Sequence, residues 1–341
     1  MVNNMLKKLN MDYLRVLAAL LVVAIHVYPF LQINNTLEIL FTHVFCRIAV
    51  PIFLMITGYF VLPTALNNRS KLVLYTKKIL KIYLFSILLY LPINIYSHSF
   101  AGFSIIDFLK SIFIDGTFYH LWYFPGLILG IWLTYFLVKK IPHQVSIIVI
   151  ILYLIGLFGD SYYGLVSSIT IIKDIYHFIF NIFSYTRNGL FYMPIFIYLG
   201  YKFHQNNFNI SKKNNFTYLT ISLILMLIEG YLLYSLDLVR HDSMYLFLIP
   251  TMFYIFNWLL QLDKSSNKLW RNIGTDIYII HPLVIIGLRL IAKIIHLESL
   301  LIENNLIQYI LVIIISLVVS LCFEKGKEII QNGKGKRVIK N

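Results

Sequence analysis

The chain has 341 residues, of which 59% are hydrophobic and only 13% are charged, and its net charge is +14 at pH 7. This composition excludes an ordinary soluble domain, because long apolar segments recur along the whole chain, as they do in proteins that cross a membrane several times. The positive charge does not indicate nucleic-acid binding, since the basic residues lie in short clusters between the apolar segments. We therefore predict a multi-pass protein of the cell membrane and expect no nucleic-acid partner.

Ten apolar segments are predicted to cross the lipid bilayer as an all-α bundle. If the N-terminus is cytoplasmic, the predicted cytoplasmic loops and the C-terminal tail carry most of the 29 lysines and arginines. Cytoplasmic segments of membrane proteins are enriched in these residues, so we predict that both termini are cytoplasmic. The predicted spans are residues 11–31, 43–62, 79–97, 120–138, 145–158, 187–201, 215–236, 242–261, 273–295 and 305–323.

The predicted domain organisation is simple. Residues 1–323 form one transmembrane domain, and residues 324–341 form a short basic cytoplasmic tail that we expect to be disordered. Two predicted outer connections contain apolar residues at helical spacing, within 105–113 and 172–183. This pattern is typical of helices that lie in the membrane interface, where they either cover a cavity open to the outside or only pack against the bundle.

The first span contains three charged or titratable residues, Asp12, Arg15 and His26. Such side chains are costly inside a bilayer and usually mark a function or a buried partner. Arg15 and His26 are separated by about three helical turns, so both lie on one helix face, about 16 Å apart along the axis. Asp12 precedes Arg15 by less than one turn and can pair with it. We predict that the other helices are arranged around this face.

Polar residues of other spans are predicted to lie in the outer half of the bundle, at the depth of the first-span histidine. Arg47 lies near the start of the second span, and His120 and Arg187 begin the fourth and sixth spans. Arg240 and Asp242 mark the turn into the eighth span. A cluster with several arginines suits an anionic or hydroxyl-rich ligand that approaches from outside.

A second set of polar residues is predicted in the inner half. There Asp276 and His281 of the ninth span join Asp12 and Arg15, above the basic loop at residues 69–81. This set suits a phosphorylated ligand that approaches from the cytoplasm. An inner anion site and an outer polar site, joined along one face of the first helix, are the layout of a protein that moves a group across the membrane.

Three further predictions concern the cysteines, one buried acid and metal binding. Cys46 and Cys322 are predicted near opposite membrane faces, so no disulfide is expected. Glu229 lies in the middle of the seventh span without a partner that the sequence identifies. No two histidines or cysteines have the spacing of metal ligands, so we predict no metal site.

Four motifs resemble those of the acyltransferase family 3 membrane proteins. They are Arg15 and His26 with ten residues between them, IAVPIFLMITGYFV after Arg47, HLWYF at 120–124 and GTDIYIIHP at 274–282. Within that family, the segments CRIAVPIFLMITGYF, YHLWYFPGLILG, RNGLFYMPIFIYLG and RHDSMYLFLIP are most similar to the membrane domain of VanT-type serine racemases of vancomycin-resistance clusters. The chain ends after the tenth span, so we expect it to lack the pyridoxal-phosphate-binding racemase domain and to have no racemase activity.

The resemblance implies a membrane O-acyltransferase. Such a protein moves an acyl group, often acetyl, from cytoplasmic acyl-CoA as donor substrate, with no bound cofactor, to a hydroxyl of a cell-envelope glycan or small molecule outside the cytoplasm. By this resemblance, His26 is a general base or an acyl relay. Arg47, as an arginine of the outer site, is expected on chemical grounds to stabilise an oxyanion. Arg15, with Asp12 and His281, holds the CoA end. The residues expected to bind the acceptor are His120, Arg187, Arg240 and Asp242.

Two alternatives remain open at the level of the sequence. In the first, the chain is a VanT-like membrane domain that binds or transports L-serine without acyl transfer, and Arg240 and Asp242 meet the carboxylate and ammonium groups of the amino acid. In the second, the chain is an inert anchor for a separately encoded racemase, and His26 has no function.

Overall fold

The computed structural model describes the backbone of residues 2–262 and 268–338, and the side chains of residues 11–262 and 269–329. Every regular element in the described residues is a helix, so the predicted all-α fold class is confirmed for that part of the chain. The chain forms two compact units. Unit 1 contains residues 1–52 and 258–341, and unit 2 contains residues 53–257.

Fifteen α-helices follow one another along the described chain, with short π-helical or 3-10 segments at 39–48 and 111–115. The helices are α1 (Val2–Val27), α2 (Asn35–Glu38), α3 (Ala49–Asn67), α4 (Arg69–Tyr96), α5 (Ile105–Lys110), α6 (Tyr123–Lys140), α7 (Val145–Phe158), α8 (Tyr163–Val166), α9 (Thr170–Ile182), α10 (Met193–Gln205), α11 (Lys212–Ser235), α12 (Leu248–Leu260), α13 (Lys268–Ile294), α14 (Glu298–Leu301) and α15 (Asn305–Val338).

Several helices have the length and apolar composition of membrane spans. In the described residues, five segments are long and apolar enough to cross a membrane, and α7 and α12 are shorter apolar helices. A helix overlaps each of the ten predicted spans, but the number of spans and the location of the termini stay predictions. The five long segments are Asn35–Asn67, Arg69–Tyr96, Lys212–Ser235, Leu269–Ile294 and Asn305–Ile329.

Three helices of unit 2 begin later than the sequence predicts. The predicted spans at 120–138, 187–201 and 242–261 correspond to α6, α10 and α12, which begin at Tyr123, Met193 and Leu248. The residues before α6 form a turn in which the N–H of Leu121 binds the carbonyl oxygen of Phe118. The residues before α10 and α12 form turns because polar side chains bind backbone N–H groups there in place of helical carbonyls. The amide oxygen of Asn188, for example, accepts the N–H groups of Leu190 and Phe191.

In unit 1, α1 and α13 pack side by side and run in the same direction. Gly274, near the start of α13, lies against the backbone of Arg15. Further along both helices, the ring of His281 is stacked on the ring of His26. This parallel arrangement agrees with a topology in which the first and ninth spans cross the membrane in the same direction.

The last long helix, α15, runs antiparallel to α1 and α13. At its start, Asn305 donates a hydrogen bond to the carbonyl oxygen of Tyr28 over 2.9 Å. Near its other end, Glu324 accepts a hydrogen bond from Asn272 over 2.6 Å and pairs with Lys327. The helix continues to Val338, so the expectation of disorder from residue 324 onward is wrong for residues 324–338. These polar contacts hold the turn of α15 that follows the predicted boundary.

The two helices predicted in outer connections are present as α5 and α9. The apolar residues Ile105 and Ile106 of α5 are exposed. Lys110 at the end of α5 donates hydrogen bonds to the carbonyl oxygens of Phe180 and Asn181, over 3.4 and 3.3 Å, at the end of α9. A lysine in this position stabilises a helix C-terminus, so the two helices are joined. Their location in the membrane interface stays a prediction.

Unit 2 contains a close helix crossing that two glycines permit. A Cβ atom at Gly58 of α3 would lie 1.9 Å from the carbonyl oxygen of Ile197 of α10. A Cβ atom at Gly200 of α10 would lie 2.1 Å from the carbonyl oxygen of Met55 of α3. Small residues at such crossings let two backbones approach closely, which is a common source of helix association in membranes.

We therefore expect Gly58→Ala to destabilise the protein by about 1–3 kcal/mol, because the added methyl group must push α3 and α10 apart. The measurement is the thermal unfolding midpoint of the purified protein in detergent. Gly287→Ala is the matched control, because a Cβ atom at Gly287 of α13 meets no atom within 4 Å. An unchanged midpoint in Gly58→Ala, or an equal loss in both variants, would show that the crossing is not sterically limited.

Candidate functional site

The predicted pair of Asp12 and Arg15 within α1 is formed. One guanidinium nitrogen of Arg15 donates to a carboxylate oxygen of Asp12 over 2.9 Å. Asp12 is buried, and the Arg15 side chain is partly exposed. Because the carboxylate is held within the protein, it fixes the orientation of the arginine and offsets part of its positive charge.

The histidine of α1 lies against a second histidine. The rings of His26 and His281 are stacked, with centroids 5.4 Å apart and planes 16° apart. The Nδ1 atom of His281 lies 3.1 Å from the carbonyl oxygen of Ile277 and 2.9 Å from that of Tyr278. Carbonyl oxygens only accept hydrogen bonds, so Nδ1 carries a proton and the neutral ring has its lone pair on Nε2.

The position of His281 corrects a sequence prediction. The sequence pattern predicts this residue in the inner half of the bundle, beside Asp12 and Arg15. In the structure Gly274 of α13 lies against Arg15, and His281 lies about 10 Å further along the helix. Because α13 runs parallel to α1, this displacement brings His281 to His26 instead of to the arginine.

Arg47 lies in the irregular segment that precedes α3. It belongs to a 3-10 turn, Phe45–Ile48, that directly follows a π-helical turn, Ile39–Val44. Arg47 is buried, and its Nε donates to the carbonyl oxygen of His43 over 3.3 Å. The ring of His43 lies 5.6 Å from that of Tyr28, just after α1. The segment therefore packs at the end of α1 that carries His26, which agrees with the predicted depth of Arg47.

The same segment contains a buried acid that the sequence analysis does not select. Glu38 is only 1% exposed. One of its carboxylate oxygens accepts the backbone N–H of Phe30 over 2.7 Å, which connects the turn after α1 to α2. This carboxylate stabilises the connection on which Arg47 depends for its position.

The polar group of unit 2 surrounds the ring of Tyr185. The ring centroid lies 4.8 Å from Cζ of Arg187, 5.7 Å from Cζ of Arg240 and 4.7 Å from the ring centroid of His241. We call these four residues the Tyr185 cluster. The structure therefore brings together Arg187 and Arg240, two of the residues predicted to bind the acceptor, although they are distant in the sequence.

Both arginines of the Tyr185 cluster are held by aromatic rings. Cζ of Arg187 also lies 4.8 Å from the ring centroid of Trp122, and Cζ of Arg240 lies 3.5 Å from that of Phe180. Arg240 donates a hydrogen bond to the carbonyl oxygen of Ser184 over 3.1 Å. A guanidinium group that stacks on a ring uses its face for that contact, which leaves N–H groups at its edge for polar partners.

A buried aspartate lies beneath the Tyr185 cluster. Asp160 is 0% exposed, and its Oδ1 accepts the backbone N–H groups of Ser243 and Met244 over 2.7 and 2.9 Å. Its Oδ2 lies 3.2 Å from Nδ1 of His241, which is 3.0 Å from the hydroxyl of Ser243. Asp160 therefore fixes the turn that carries His241.

The environment of His241 disfavours its protonated form. Burial lowers the pKa of His241 below its ordinary value, and the positive charge of Arg187 lowers it further, while Asp160 and Asp242 act in the opposite direction. The imidazole is therefore mainly neutral at pH 7 and gains its charge only under more acidic conditions.

Asp242 and His120 are placed differently from the two arginines. Asp242 is buried at the edge of the Tyr185 cluster, where one carboxylate oxygen accepts the hydroxyl of Tyr234 over 2.8 Å. His120 is 1% exposed and lies among the rings of Tyr90, Phe118 and Tyr119. Since these rings enclose the imidazole, His120 is not in a position that an acceptor reaches from outside.

Glu229 has partners that the sequence does not identify. Its carboxylate accepts the hydroxyl of Tyr162 over 2.7 Å and the backbone N–H groups of Leu246 and Phe247. Burial, and secondarily the neighbouring carboxylate, raise the pKa of Tyr162, so this hydroxyl stays protonated and donates. Glu229 thus binds N–H groups directly before α12, where the helix has no carbonyl partners for them.

The residues of these two sites that the sequence does not single out include Asp160, Tyr185 and Glu38. A usable signal exists for the two acids. The chain has only 15 aspartates and glutamates, so an acid between apolar segments, such as Asp160 in LFGDSYY, is expected to have a buried partner. Tyr185 carries no such signal, because the chain contains 25 tyrosines.

The fold and the paired histidines are those of a helical membrane protein with titratable groups inside the bundle. The chain belongs to the acyltransferase 3 family, whose acyltransferase domain matches residues 8–325.

Among curated proteins, the chain is 39% identical over 315 residues to an amino-acid racemase of Enterococcus faecalis. The matched region covers 91% of this chain and 44% of that protein. The chain is 35% identical over 323 residues to a serine/alanine racemase of Enterococcus gallinarum. Here the matched region covers 92% of this chain and 45% of that protein. The chain therefore spans less than half the length of these relatives. No solved structure matches it.

The contacts of Glu229 lead to a stability prediction. In Glu229→Gln the side-chain amide donates where the carboxylate accepts, so at least one of its donors loses its partner. We expect a loss of about 1–3 kcal/mol, measured as a lower thermal unfolding midpoint. Tyr162→Phe leaves the carboxylate and both backbone N–H groups in place and should cost less. A larger loss in Tyr162→Phe than in Glu229→Gln would contradict this account.

Proposed function

We propose that the protein is a plasma-membrane O-acyltransferase that moves an acyl group, in particular acetyl, from cytoplasmic acyl-CoA to a hydroxyl of an acceptor outside the cytoplasm. The observation that supports this proposal most strongly is that His26, on the helix that also carries the Asp12–Arg15 pair, stacks on His281 of α13. Membership of the acyltransferase 3 family gives the reaction class.

Arg15 is proposed to hold the CoA end of the donor. Its guanidinium group presents several donors in a fixed plane, which matches phosphate oxygens well. Asp12 has the same charge as a phosphate and would repel it, so its proposed role is to orient Arg15 rather than to contact the donor. Arg15 and His26 are about 16 Å apart along α1. In this proposal the CoA end of the donor lies at Arg15 and the thioester lies at His26.

His26 is proposed to perform the transfer in one of two ways. As a general base, it takes the proton of the acceptor hydroxyl while the hydroxyl oxygen attacks the thioester carbonyl. The carbon–sulfur bond then breaks, and the sulfur leaves with a proton as free CoA thiol. As an acyl relay, His26 is itself acylated with release of the same thiol, and the acceptor hydroxyl then removes the acyl group from the ring.

His281 and Arg47 are proposed to support His26. His281 is held by two carbonyl oxygens of its own helix, so it provides a fixed surface against which the His26 ring is positioned. Arg47 is proposed to stabilise the negative charge that develops on the carbonyl oxygen.

The first test measures thiol release and covalent acetylation after incubation of the purified protein with acetyl-CoA. We expect His26→Ala to lose thiol release by about 100-fold or more, because general-base catalysis contributes this much. A His26-dependent acetyl adduct would identify the relay. His98→Ala is the matched control, since His98 is exposed in a turn of unit 2. Wild-type activity in His26→Ala would exclude the proposed mechanism.

A second candidate function is the binding or transport of L-serine. The observation that favours it is the similarity to proteins named as amino-acid racemase and serine/alanine racemase. In this reading, Arg240 meets the carboxylate and Asp242 meets the ammonium group of the amino acid. A separate racemase would then act on the serine that the chain supplies.

The serine hypothesis predicts saturable L-serine binding by the purified protein, measured by equilibrium titration, that is lost in Asp242→Ala. Asp174→Ala should bind normally, because Asp174 is an exposed residue of α9. Retained tight binding in Asp242→Ala would exclude the assigned contact. Absence of binding throughout the millimolar range would exclude the hypothesis.

A further inference from the structure

One end of unit 2, predicted to be cytoplasmic, carries positive charge in a part of the sequence that contains no acid. Residues 53–106 and 116–159, which contain α4, α6 and α7, include no aspartate or glutamate. Acids contribute little to membrane topology, so the orientation of the chain does not require their absence. The lysines and arginines of this part lie in the first half of α4 and at the end of α6. They are Arg69, Lys71, Lys77, Lys78, Lys81, Lys139 and Lys140.

The helices α4 and α6 run antiparallel and bring these two basic segments together. The indole Nε1 of Trp132 in α6 donates to the hydroxyl of Thr76 in α4 over 3.0 Å. Cζ of Arg69 lies 5.5 Å from the ring centroid of Trp132. Further along α4 and nearer the start of α6, the ring centroids of Tyr83 and Phe124 are 5.7 Å apart. The start of α4 therefore lies beside the last turns of α6.

Two cations, one from each helix, lie on neighbouring aromatic rings. Nζ of Lys139 lies 5.5 Å from the ring centroid of Tyr135 and donates to the hydroxyl of the same residue over 3.1 Å. The ring centroids of Tyr135 and Trp132 are 5.9 Å apart, and Arg69 lies over Trp132. Arg69 and Lys139 are both exposed. Contact with a ring does not neutralise a cation, so both charges are available to an anion.

Exposed apolar side chains lie directly beside these cations. Val73 and Leu80 are exposed and follow Arg69 by about one and three helical turns, so all three share one face of α4. On α6, Phe136 is exposed, and its ring centroid lies 5.6 Å from that of Trp132. We call these residues the Trp132 surface: Arg69, Val73, Leu80, Trp132, Phe136 and Lys139.

We propose that the Trp132 surface binds an anionic phospholipid. Its phosphate lies at Arg69 and Lys139, and an acyl chain lies along the neighbouring apolar side chains. Basic sites between membrane helices bind anionic lipid head groups, and tryptophan is enriched where head groups meet acyl chains. A soluble phosphate compound would contact the cations alone. The proposal concerns unit 2 only and does not depend on acyl transfer.

The first test is calorimetric titration of the purified full chain, in a neutral detergent at low ionic strength, with dioctanoyl-phosphatidylglycerol. Dioctanoyl-phosphatidylcholine has the same chains without a net charge, and glycerol 3-phosphate has the anion without the chains. We expect saturable binding of phosphatidylglycerol and at least about tenfold weaker binding of either comparison compound. Raising the salt concentration to about 0.5 M should weaken the binding of phosphatidylglycerol, because the cations are exposed.

Two double variants locate the site. Arg69→Gln combined with Lys139→Gln should raise the Kd for phosphatidylglycerol about tenfold or more. Lys71→Gln combined with Lys78→Gln is the matched control, because it removes the same charge from exposed positions of α4. These two lysines lie about 200° around the helix from Arg69 and Thr76, which face Trp132. The control should therefore change the Kd by less than about threefold.

Four results would each overturn the proposal. They are equal binding of phosphatidylcholine, unchanged affinity in Arg69→Gln with Lys139→Gln, an equal loss in the control, and displacement of phosphatidylglycerol by free CoA. The last result would assign the cations to a soluble phosphate compound. The comparisons of lipids and the CoA competition use the wild-type protein, so they decide the question even if a variant does not fold. His26→Ala should bind phosphatidylglycerol normally, which keeps this test separate from the test of acyl transfer.

Discussion

The contact between α1 and α13 is the constraint on which the histidine pair depends. Gly274 packs against the backbone of Arg15, where a Cβ atom would lie 2.9 Å from the carbonyl carbon. This approach sets the spacing and the register of two parallel helices. The register then determines that His281, rather than another residue of α13, lies on His26. The absence of a side chain at Gly274 thus determines that His281, about two turns further along α13, becomes the partner of His26.

Acids play a comparable role in the irregular parts of the chain. Glu38, Asp160 and Glu229 are all buried, and each accepts at least one backbone N–H group from a turn outside its own helix or turn. In an apolar environment an N–H group without a partner is costly, so each acid permits a non-helical turn at that place. Arg47 lies in the segment that Glu38 stabilises, and Arg240 lies in the turn that Asp160 holds. This arrangement explains why a chain poor in acids places these acids close to basic residues.

The sequence predicted the helical fold and the Asp12–Arg15 pair because both follow from regular periodicity. From the estimated depth of each residue in the membrane, the sequence predicted that Arg187 and Arg240 lie close together, and in the structure both lie at the ring of Tyr185. The same estimate of depth misplaced His281, because the register between α1 and α13 depends on Gly274. It also did not show that aromatic rings enclose His120. The starts of α10 and α12 were predicted too early, because hydropathy does not reveal that Asn188 and Asp160 bind backbone N–H groups there. The start of α6 was predicted too early because hydropathy does not reveal the backbone turn before that helix.

The late starts of α10 and α12 leave two short helices in unit 2. Each has 13 residues and is therefore about 20 Å long, whereas the hydrocarbon core of a bilayer is about 30 Å thick. If these helices are membrane spans, as the sequence predicts, the turns before them cross the rest of that depth. Most residues of α10 are buried within the protein. The N–H groups of the turns are bound by Asn188, Asp160 and Glu229. Non-helical backbone at membrane depth is tolerated where protein surrounds it, so the packing of unit 2 does for these turns what a longer helix does for itself.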